Sequence, residues 1–514
     1  MEPERRRPVA LTPPFSAVLV ANRGEIAVRV IRACRELGIR AVAVYSDADR
    51  DALHVRLADE AYPIGPAAPR ESYLVSGKLV EVARRAKCDA IHPGYGFLSE
   101  NADFADAVRD AGLVFVGPPG DVQRKLGEKT QARRLARDAG VPVAEGTAEP
   151  LRDLDHARRE AERIGYPVML KAAGGGGGKG LRAVVSVAEL DAAWRLASGE
   201  ASGAFGNSSM FVEKLIERAR HVEMQILADA HGAVVWLGDR DCSIQRRHQK
   251  LIEESPAPSV DDQLRERLGD AAVRIARAAG YQNAGTVEFL VDARGAFSFL
   301  EVNTRLQVEH PVTELVTGLD LVALQLRIAA GEPLPFAQGD VRRSGAAIEC
   351  RVTGEDTRRG FVPATGRIAL LREPGGPGVR VDSGLFEGLT VTSDYDPLLM
   401  KVIVHGADRT EALTRARRAV KETIVAGLPT SLAFHSHVLG EPDFVAGRYD
   451  TSYVATHWPP RSSVALDDSA VTAAALVAVL AARGRASRHV VGGPRGAQPP
   501  GGEWSRAGRE DALR

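Results

Sequence analysis

Between Glu301 and His310 the chain reads EVNTRLQVEH, in which Glu301, Asn303, Arg305, Gln307 and Glu309 are polar and Val302, Leu306 and Val308 between them are apolar. Successive side chains of an extended strand point to opposite faces. This spacing therefore predicts a surface that gathers two carboxylates, two amides and a guanidinium. Just upstream, Thr286 to Leu290 and Phe297 to Val302 read as two strands around a turn at Asp292-Ala293-Arg294-Gly295. With the symmetry point between Arg294 and Gly295, Glu288 falls across from Glu301. Like charges directly opposite each other destabilise a sheet, so something positive is expected between them. A hard divalent cation that takes oxygen ligands answers that need, with the Asn303 carbonyl as a third ligand. An ordinary strand with a solvated charged face is the plainer alternative.

Three further stretches carry chemistry. The run Ala173-Gly174-Gly175-Gly176-Gly177-Gly178-Lys179-Gly180 follows a strand ending in Lys171. Its glycines lack the Cβ atoms that would keep backbone amides away from an anion, so it reads as a loop that covers phosphate, with Lys171 adding positive charge. It is not a P-loop, because Leu181 stands where the hydroxyl residue should be; a flexible linker is the alternative. Glu213-Lys214-Leu215-Ile216, after a strand at Met210 to Val212, has the form of a hinge in which a nucleotide base stacks on apolar side chains and bonds to backbone. His221 beyond it reads equally as a ribose or phosphate ligand and as a surface histidine. Finally, DCSIQRRHQK, from Asp241 to Lys250, is almost free of apolar residues. Basic runs are usually solvated faces, but beside the carboxylate hairpin this one reads as the cationic wall of an anion site, where Lys250 and Arg305 together hold a small oxyanion.

The elements that must position these residues divide the chain. Ala17 to Ala21 is an apolar strand, followed by a tight turn, an amphipathic helix through Leu37 with Ile26, Val30 and Ile31 inward, and a strand at Ala41 to Tyr45. With strands at Asp89 to His92 and Val114 to Gly117, this predicts a doubly wound parallel sheet over 15–128. No G-x-G-x-x-G follows the first strand, so a dinucleotide is not expected. A helix at Leu126 to Ala139 leads into a separately moving lobe, about 143–215, with strands Val168 to Ala172 and Leu181 to Val185. The carboxylate hairpin and then a strand-rich region follow.

At 514 residues the chain is long enough for about three domains. Its 67 basic and 67 acidic residues sum to a net charge of +0, which leaves no electrostatic footprint for nucleic acid or an anionic membrane. Cys34, Cys88, Cys242 and Cys350 are scattered without C-x-x-C spacing, so reduced thiols and a cytoplasmic location are expected. Residues 1–14 read as a disordered leader. No apolar run reaches the length of a membrane span; Ala470 to Ala482 reads as an alanine-rich helix in an extension, 456–514, whose last part is expected to be disordered.

In this order, ANRGEIAVRVIRAC, HPGYGFLSEN, KAAGGGGGKG, RDCSIQRRHQK, TVEFL and EVNTRLQVEHPVTE closely resemble the biotin carboxylase component of biotin-dependent acyl-CoA carboxylases, an ATP-grasp family, from about Phe15 to Tyr453. The resemblance implies an α/β chain, α+β in its central and C-terminal parts. A doubly wound N-terminal domain would be followed by an ATP-grasp domain at 129–335 with a mobile glycine-rich lid, and by a C-terminal biotin carboxylase domain at 336–455. It implies that ATP and bicarbonate form carboxyphosphate, whose carboxyl group passes to biotin on a carrier protein. Lys129, Lys171, Gly177, Gly178, Glu213, Lys214, Leu215, Ile216, His221, Gln245 and His248 match nucleotide-contacting positions. Glu288, Glu301 and Asn303 match ligands of Mg2+ or Mn2+, two ions in all, the two glutamates also facing ATP. Lys250, Arg305, Gln307 and Val308 match the bicarbonate pocket, Glu309 the general base, and Arg351, with Arg305, the groups that stabilise the biotin enolate.

Partners implied by the family are a biotin carboxyl carrier protein, a second copy of the chain and a carboxyltransferase subunit. Tyr395-Asp396-Pro397-Leu398-Leu399-Met400-Lys401 resembles the long α subunits of acetyl- and propionyl-CoA carboxylases, yet no biotinylation motif occurs, so either the carrier is expected in trans or the sequence is a piece of such a longer subunit. Two competing readings are another ATP-grasp ligase acting on a different carboxylate and a catalytically silent assembly subunit. The joint presence of Lys250, Arg305, Gln307, Glu309 and Arg351 argues against the first, because an ordinary carboxylate needs no base to become nucleophilic.

Overall fold

Strand β1 (Ala17–Val20) is apolar and buried along its whole length, as the centre of a parallel sheet requires. It pairs in parallel with β2 (Arg40–Ser46) and β4 (Ala90–His92), and β3 (Glu60–Gly65) and β5 (Val114–Phe115) complete the order β3-β2-β1-β4-β5. The helix Gly24–Glu36 packs Ile26, Val30 and Ile31 inward, as its periodicity predicts. The sequence reading missed β3: it contains Pro63 and buries only Ile64, which is how an edge strand escapes an alternation pattern. The computed structural model describes residues 13–458 apart from 148, 173–180 and 206–208. Gly177 and Gly178 with the rest of their loop, nearly all of the expected leader and the expected helix at 470–482 therefore lie outside the described residues.

Next along the chain, β6 (Val168–Ala172), β7 (Leu181–Val184) and β8 (Met210–Lys214) form a small antiparallel sheet in the order β7-β6-β8. Its strands lie where the sequence predicts them. Leu170, Val212 and Met210 of its strands pack on Ala157, Ala161, Leu190 and Ala197 of two covering helices, so the lobe has a core of its own.

The main element of the rest is an eight-stranded sheet, accompanied among the described residues by three two-stranded sheets. Strands β9 (Arg220–Ala228), β10 (Val234–Arg246), β11 (Gln249–Ser255), β12 (Asn283–Val291), β13 (Phe297–Asn303) and β14 (Ala346–Thr353) run in the order β13-β12-β9-β10-β11-β14, extended by Leu398–Gly406 and Val379–Ser383. The helix Asp262–Ala279 covers one part through Leu264, Leu268, Ala272 and Ile275. Ile348, Cys350 and Val352 of β14 pack on the helix Arg409–Glu422 in another core. Because β11 pairs with β14, the sheet runs unbroken across the point near 335 where the sequence suggests a domain boundary.

The N-terminal sheet carries a pH-dependent element. His54 is fully buried with Nε2 3.2 Å from the Val44 carbonyl, and burial lowers its pKa from 6.5 to about 4. Its neutral form thus stabilises the fold fully above pH 6.5, and this contribution is lost as pH falls through 6.5 toward 4. Glu25 and Glu253, raised by burial to about 7, act in the opposite sense, so the effect is read as a difference. We expect the urea midpoint of His54→Gln to lie below wild type at neutral pH and the gap to shrink on acidification; a gap independent of pH would contradict this.

Candidate active site

Near its turn, the β12–β13 hairpin pairs Val291 with Phe297 and Phe289 with Phe299, a register centred on Arg294. That is half a residue away from the expected symmetry point. A β-bulge at Leu300 absorbs one residue, and beyond it Glu288 faces Glu301 and Thr286 faces Asn303. The expected glutamate pair forms, by a different route.

The extended strand expected through His310 does not: β13 ends at Asn303, and the chain turns into the helix His310–Thr317, whose first turn holds Pro311. Arg305, Gln307 and Glu309 therefore converge through a loop and a helix start rather than through strand alternation. Arg305 donates from Nη1 to Gln307 Oε1 at 2.9 Å, from Nη2 to Asn303 Oδ1 at 3.3 Å and from Nε to Glu100 Oε2 at 3.0 Å. Asn303 Nδ2 donates to Glu288 Oε1 at 2.8 Å.

Lys250 is the hub. Having crossed from β10 through Arg247 and His248, both with positive φ, the chain directs Lys250 Nζ from β11 to Glu309 at 2.6 Å, Glu223 at 2.6 Å and Glu288 at 2.8 Å. Arg351, on β14, donates from Nη2 to Glu309 Oε2 at 2.8 Å. Glu309 is fully buried. Burial alone would raise its carboxyl pKa, but Lys250, Arg351 and Arg240 outweigh burial and hold it well below the usual carboxylate range, so it is an anion. Glu223 groups with His221 and Glu288, and again with Cys242 and Glu309, in arrangements of metal-binding type. The ammonium of Lys250, bonded to all three glutamates, supplies the positive charge there.

On the opposite side of Glu288, His221 Nε2 lies 2.9 Å from Glu288 Oε2, and Gln245 Nε2 is 3.3 Å from His221 Nδ1. Glu301 has no hydrogen-bond or ion-pair partner among the described residues. Burial, then Glu288, raises its carboxyl pKa, while Lys129 and Lys171 pull it down. Two carboxylates and an amide whose carbonyl would face Glu288 after a half-turn are hard oxygen donors, so Glu288, Glu301 and Asn303 fit a divalent cation. Lys171, at the end of β6, pairs with Glu213, which also pairs with Arg133. Lys214 donates its side chain to the carbonyls of Gly165 and Tyr166 at 2.8 and 3.1 Å. Leu215 and Ile216 follow directly after β8, and His248 is exposed on its turn. The Val308 carbonyl accepts from Lys401 Nζ at 2.8 Å.

Four site residues escaped the sequence reading. Glu100 holds Arg305; Glu223 and Arg240, which pair with each other, support Lys250; Glu253 lies 2.5 Å from Arg351. For Glu223 and Arg240 the available signal was a charge inside a largely buried strand, RHVEMQILA and VVWLGDRDCS; Glu100 lies outside any strand.

A long antiparallel sheet carrying paired glutamates and a lysine hub, with a small lobe whose β6–β7 connection is the glycine run, defines an ATP-grasp enzyme. Comparison with known proteins agrees. Residues 14–122 match the family "Biotin carboxylase, N-terminal domain", 128–337 "Carbamoyl-phosphate synthase L chain, ATP binding domain" and 349–456 "Biotin carboxylase C-terminal domain". Biotin carboxylase 1 of Bacillus subtilis is 50% identical over 441 residues, covering 86% of this chain and 98% of the relative. A pyruvate carboxylase chain of Methanothermobacter thermautotrophicus is 51% identical over 440 residues, covering 86% and 89%. Among solved structures, the biotin carboxylase domain dimer of Hydrogenobacter thermophilus 2-oxoglutarate carboxylase, in complex with MgADP, ADP and bicarbonate, superposes with a TM-score of 0.84 at 44% identity, covering 86% of this chain and 98% of that one. The chain belongs to the biotin carboxylase family.

Proposed function

We propose that this chain uses ATP and bicarbonate to carboxylate biotin on a biotin carboxyl carrier protein, as the first half-reaction of an acyl-CoA carboxylase. The observation that carries the reading is Glu309, a buried anion held between Lys250 and Arg351. Bicarbonate is a poor nucleophile. In this reading it takes over contacts of Lys250 and Arg305 beside Gln307 and Val308, which frees Glu309 to accept its proton. The resulting dianion attacks the γ-phosphorus of ATP and forms carboxyphosphate. Lys129, Lys171, Gly177, Gly178, the hinge 213–216, His221, Gln245 and His248 bind the nucleotide. Glu288, Glu301 and Asn303 would hold Mg2+ or Mn2+, which when bound neutralises charge on the transferred phosphoryl group. When carboxyphosphate breaks down to CO2 and phosphate, the phosphate takes the ureido proton of biotin, Arg351 with Arg305 stabilises the enolate oxygen, and the ureido nitrogen bonds to the carbon of CO2.

The proposal includes three units, 15–128, 129–335 and 336–455, with the lobe at 143–215 closing over ATP to exclude water. It also includes a carboxyltransferase partner, self-association into a homodimer and action in the cytoplasm. Among the described residues, no helix is long and apolar enough to cross a membrane. The segment YDPLLMK supports acetyl- or propionyl-CoA as the final acceptor, whereas the relatives above include carboxylases named for pyruvate and 2-oxoglutarate. The test is ADP formation by the purified chain with magnesium and ATP, with bicarbonate alone, free biotin alone and both together. Turnover that needs bicarbonate and rises with biotin is the expected result. Turnover indifferent to both would point to another ATP-grasp ligase, and nucleotide binding without turnover to a silent assembly role.

A further inference from the structure

Strands β11 and β14 place Glu253 directly opposite Glu349, and both side chains are fully buried. The reaction described above uses neither. Arg351 follows Glu349 by two residues on the same strand and so shares its face. Its Nη2 stands between Glu253 Oε1 at 2.5 Å and Glu309 Oε2 at 2.8 Å, while its buried Nε has no hydrogen-bond partner. No oxygen of either glutamate has a hydrogen-bond partner, and of the two only Glu253 has an ion pair, with Arg351. The other charged groups around the pair are Lys250 on β11, Glu309 ahead of the helix His310–Thr317, and Lys401 on the neighbouring strand. Lys401 is already engaged, donating to the Val308 carbonyl at 2.8 Å with Glu25 and Asp382 at 3.4 and 3.7 Å.

One guanidinium atom shared between Glu253 and Glu309 cannot also neutralise Glu349. An isolated buried carboxylate costs several kcal/mol, and two carboxylates sharing one site do not both ionise. We propose that Glu253 and Glu349 carry one proton between them, on Glu349, and that the charge left on Glu253 fixes Arg351 Nη2, the same atom that meets Glu309, at the edge of the reaction pocket. Burial raises both carboxyls, Glu253 to about 7, in the same sense. The two glutamates are positioning residues: they touch no substrate, and their proton stays within the pair. The proposal rests on the functional reading only for what Arg351 does to biotin.

The test compares the full chain with Glu253→Gln, Glu349→Gln and the double variant, all near-isosteric. In infrared difference spectra at neutral pH, the carbonyl band of a protonated carboxylic acid should be present in wild type and lost in both single variants, since either glutamate left alone takes the charge that pairs with Arg351. In steady-state kinetics each single variant should lower kcat/KM for biotin by less than about threefold and the double variant by about thirtyfold or more, a non-additive pattern, with the KM for ATP unmoved. A band that survives in Glu349→Gln, or a double-variant loss no larger than the product of the single losses, would overturn the pair. Wild type that forms ADP without response to bicarbonate or biotin would instead overturn the function, and the infrared result would then decide the shared proton by itself.

Discussion

Glu309→Gln is expected to lower bicarbonate-dependent ADP formation by about 10²- to 10⁴-fold, the range for removing a positioned general base, with little change in the KM for ATP. Gln keeps the volume but has one acceptor oxygen in place of two, so it can keep the contact of Lys250 or that of Arg351, now 2.6 and 2.8 Å from separate oxygens of Glu309, and it cannot take a proton. The nucleotide-facing residues proposed above lie on other elements, so binding of ATP should survive; a fluorescent nucleotide titration run beside the assay would check this. A loss smaller than about tenfold would move the base away from Glu309, general bases ordinarily being worth more. Glu223 would then be the next carboxylate to replace, because it too meets Lys250 at 2.6 Å.

Arg240→Met should cost about 3–5 kcal/mol of stability, the usual effect of removing one partner from a buried ion pair. Arg240 is fully buried. It pairs with Glu223 on β9 and donates to Gln225 Oε1 at 2.7 Å, Thr313 Oγ1 at 2.9 Å and Thr286 Oγ1 at 3.0 Å, thereby joining β10 to β9, β12 and the helix His310–Thr317. Without it Glu223 keeps only Lys250, which would be drawn away from Glu309, so the KM for bicarbonate should rise as well. Urea unfolding measures the first effect and initial rates the second. Arg240→Lys should recover part of the stability at most, because an ammonium cannot span the four acceptors that the guanidinium fork reaches. A destabilisation below about 1 kcal/mol would mean that Lys250 alone compensates Glu223, contrary to the cost expected for an unpaired buried charge.

Much of the site was legible because its chemistry is local. The Glu288–Glu301 pairing spans a hairpin, and hairpin register follows from alternation and a turn signal. Even there the correct pair came with an incorrect turn centre, since a bulge at Leu300 is not visible in the spacing. The polar alternation of EVNTRLQVEH marked residues that do lie near one another but suggested the wrong backbone: Pro311 stands in the first turn of a helix that begins immediately after Glu309, and the chain reaches it through a turn. Resemblance over several motifs supplied the roles, which composition and periodicity do not contain.

Residue order alone thus contained the family, the parallel N-terminal sheet, the strands of the lobe around its glycine run, and Lys250, Glu288, Arg305, Glu309 and Arg351 among the charged residues that meet, but not Glu100, Glu223, Arg240 or Glu253. Who holds whom was settled by the folded arrangement. Arg305 is held by Glu100, 205 residues away; Glu309 is reached by Lys250 from 59 residues away and by Arg351 from 42. The Glu253–Glu349 opposition exists only because β14 pairs with β11. Such contacts depend on the order of strands in the sheet. A strand's own pattern states which face is buried, but it carries no information about which distant strand will lie beside it.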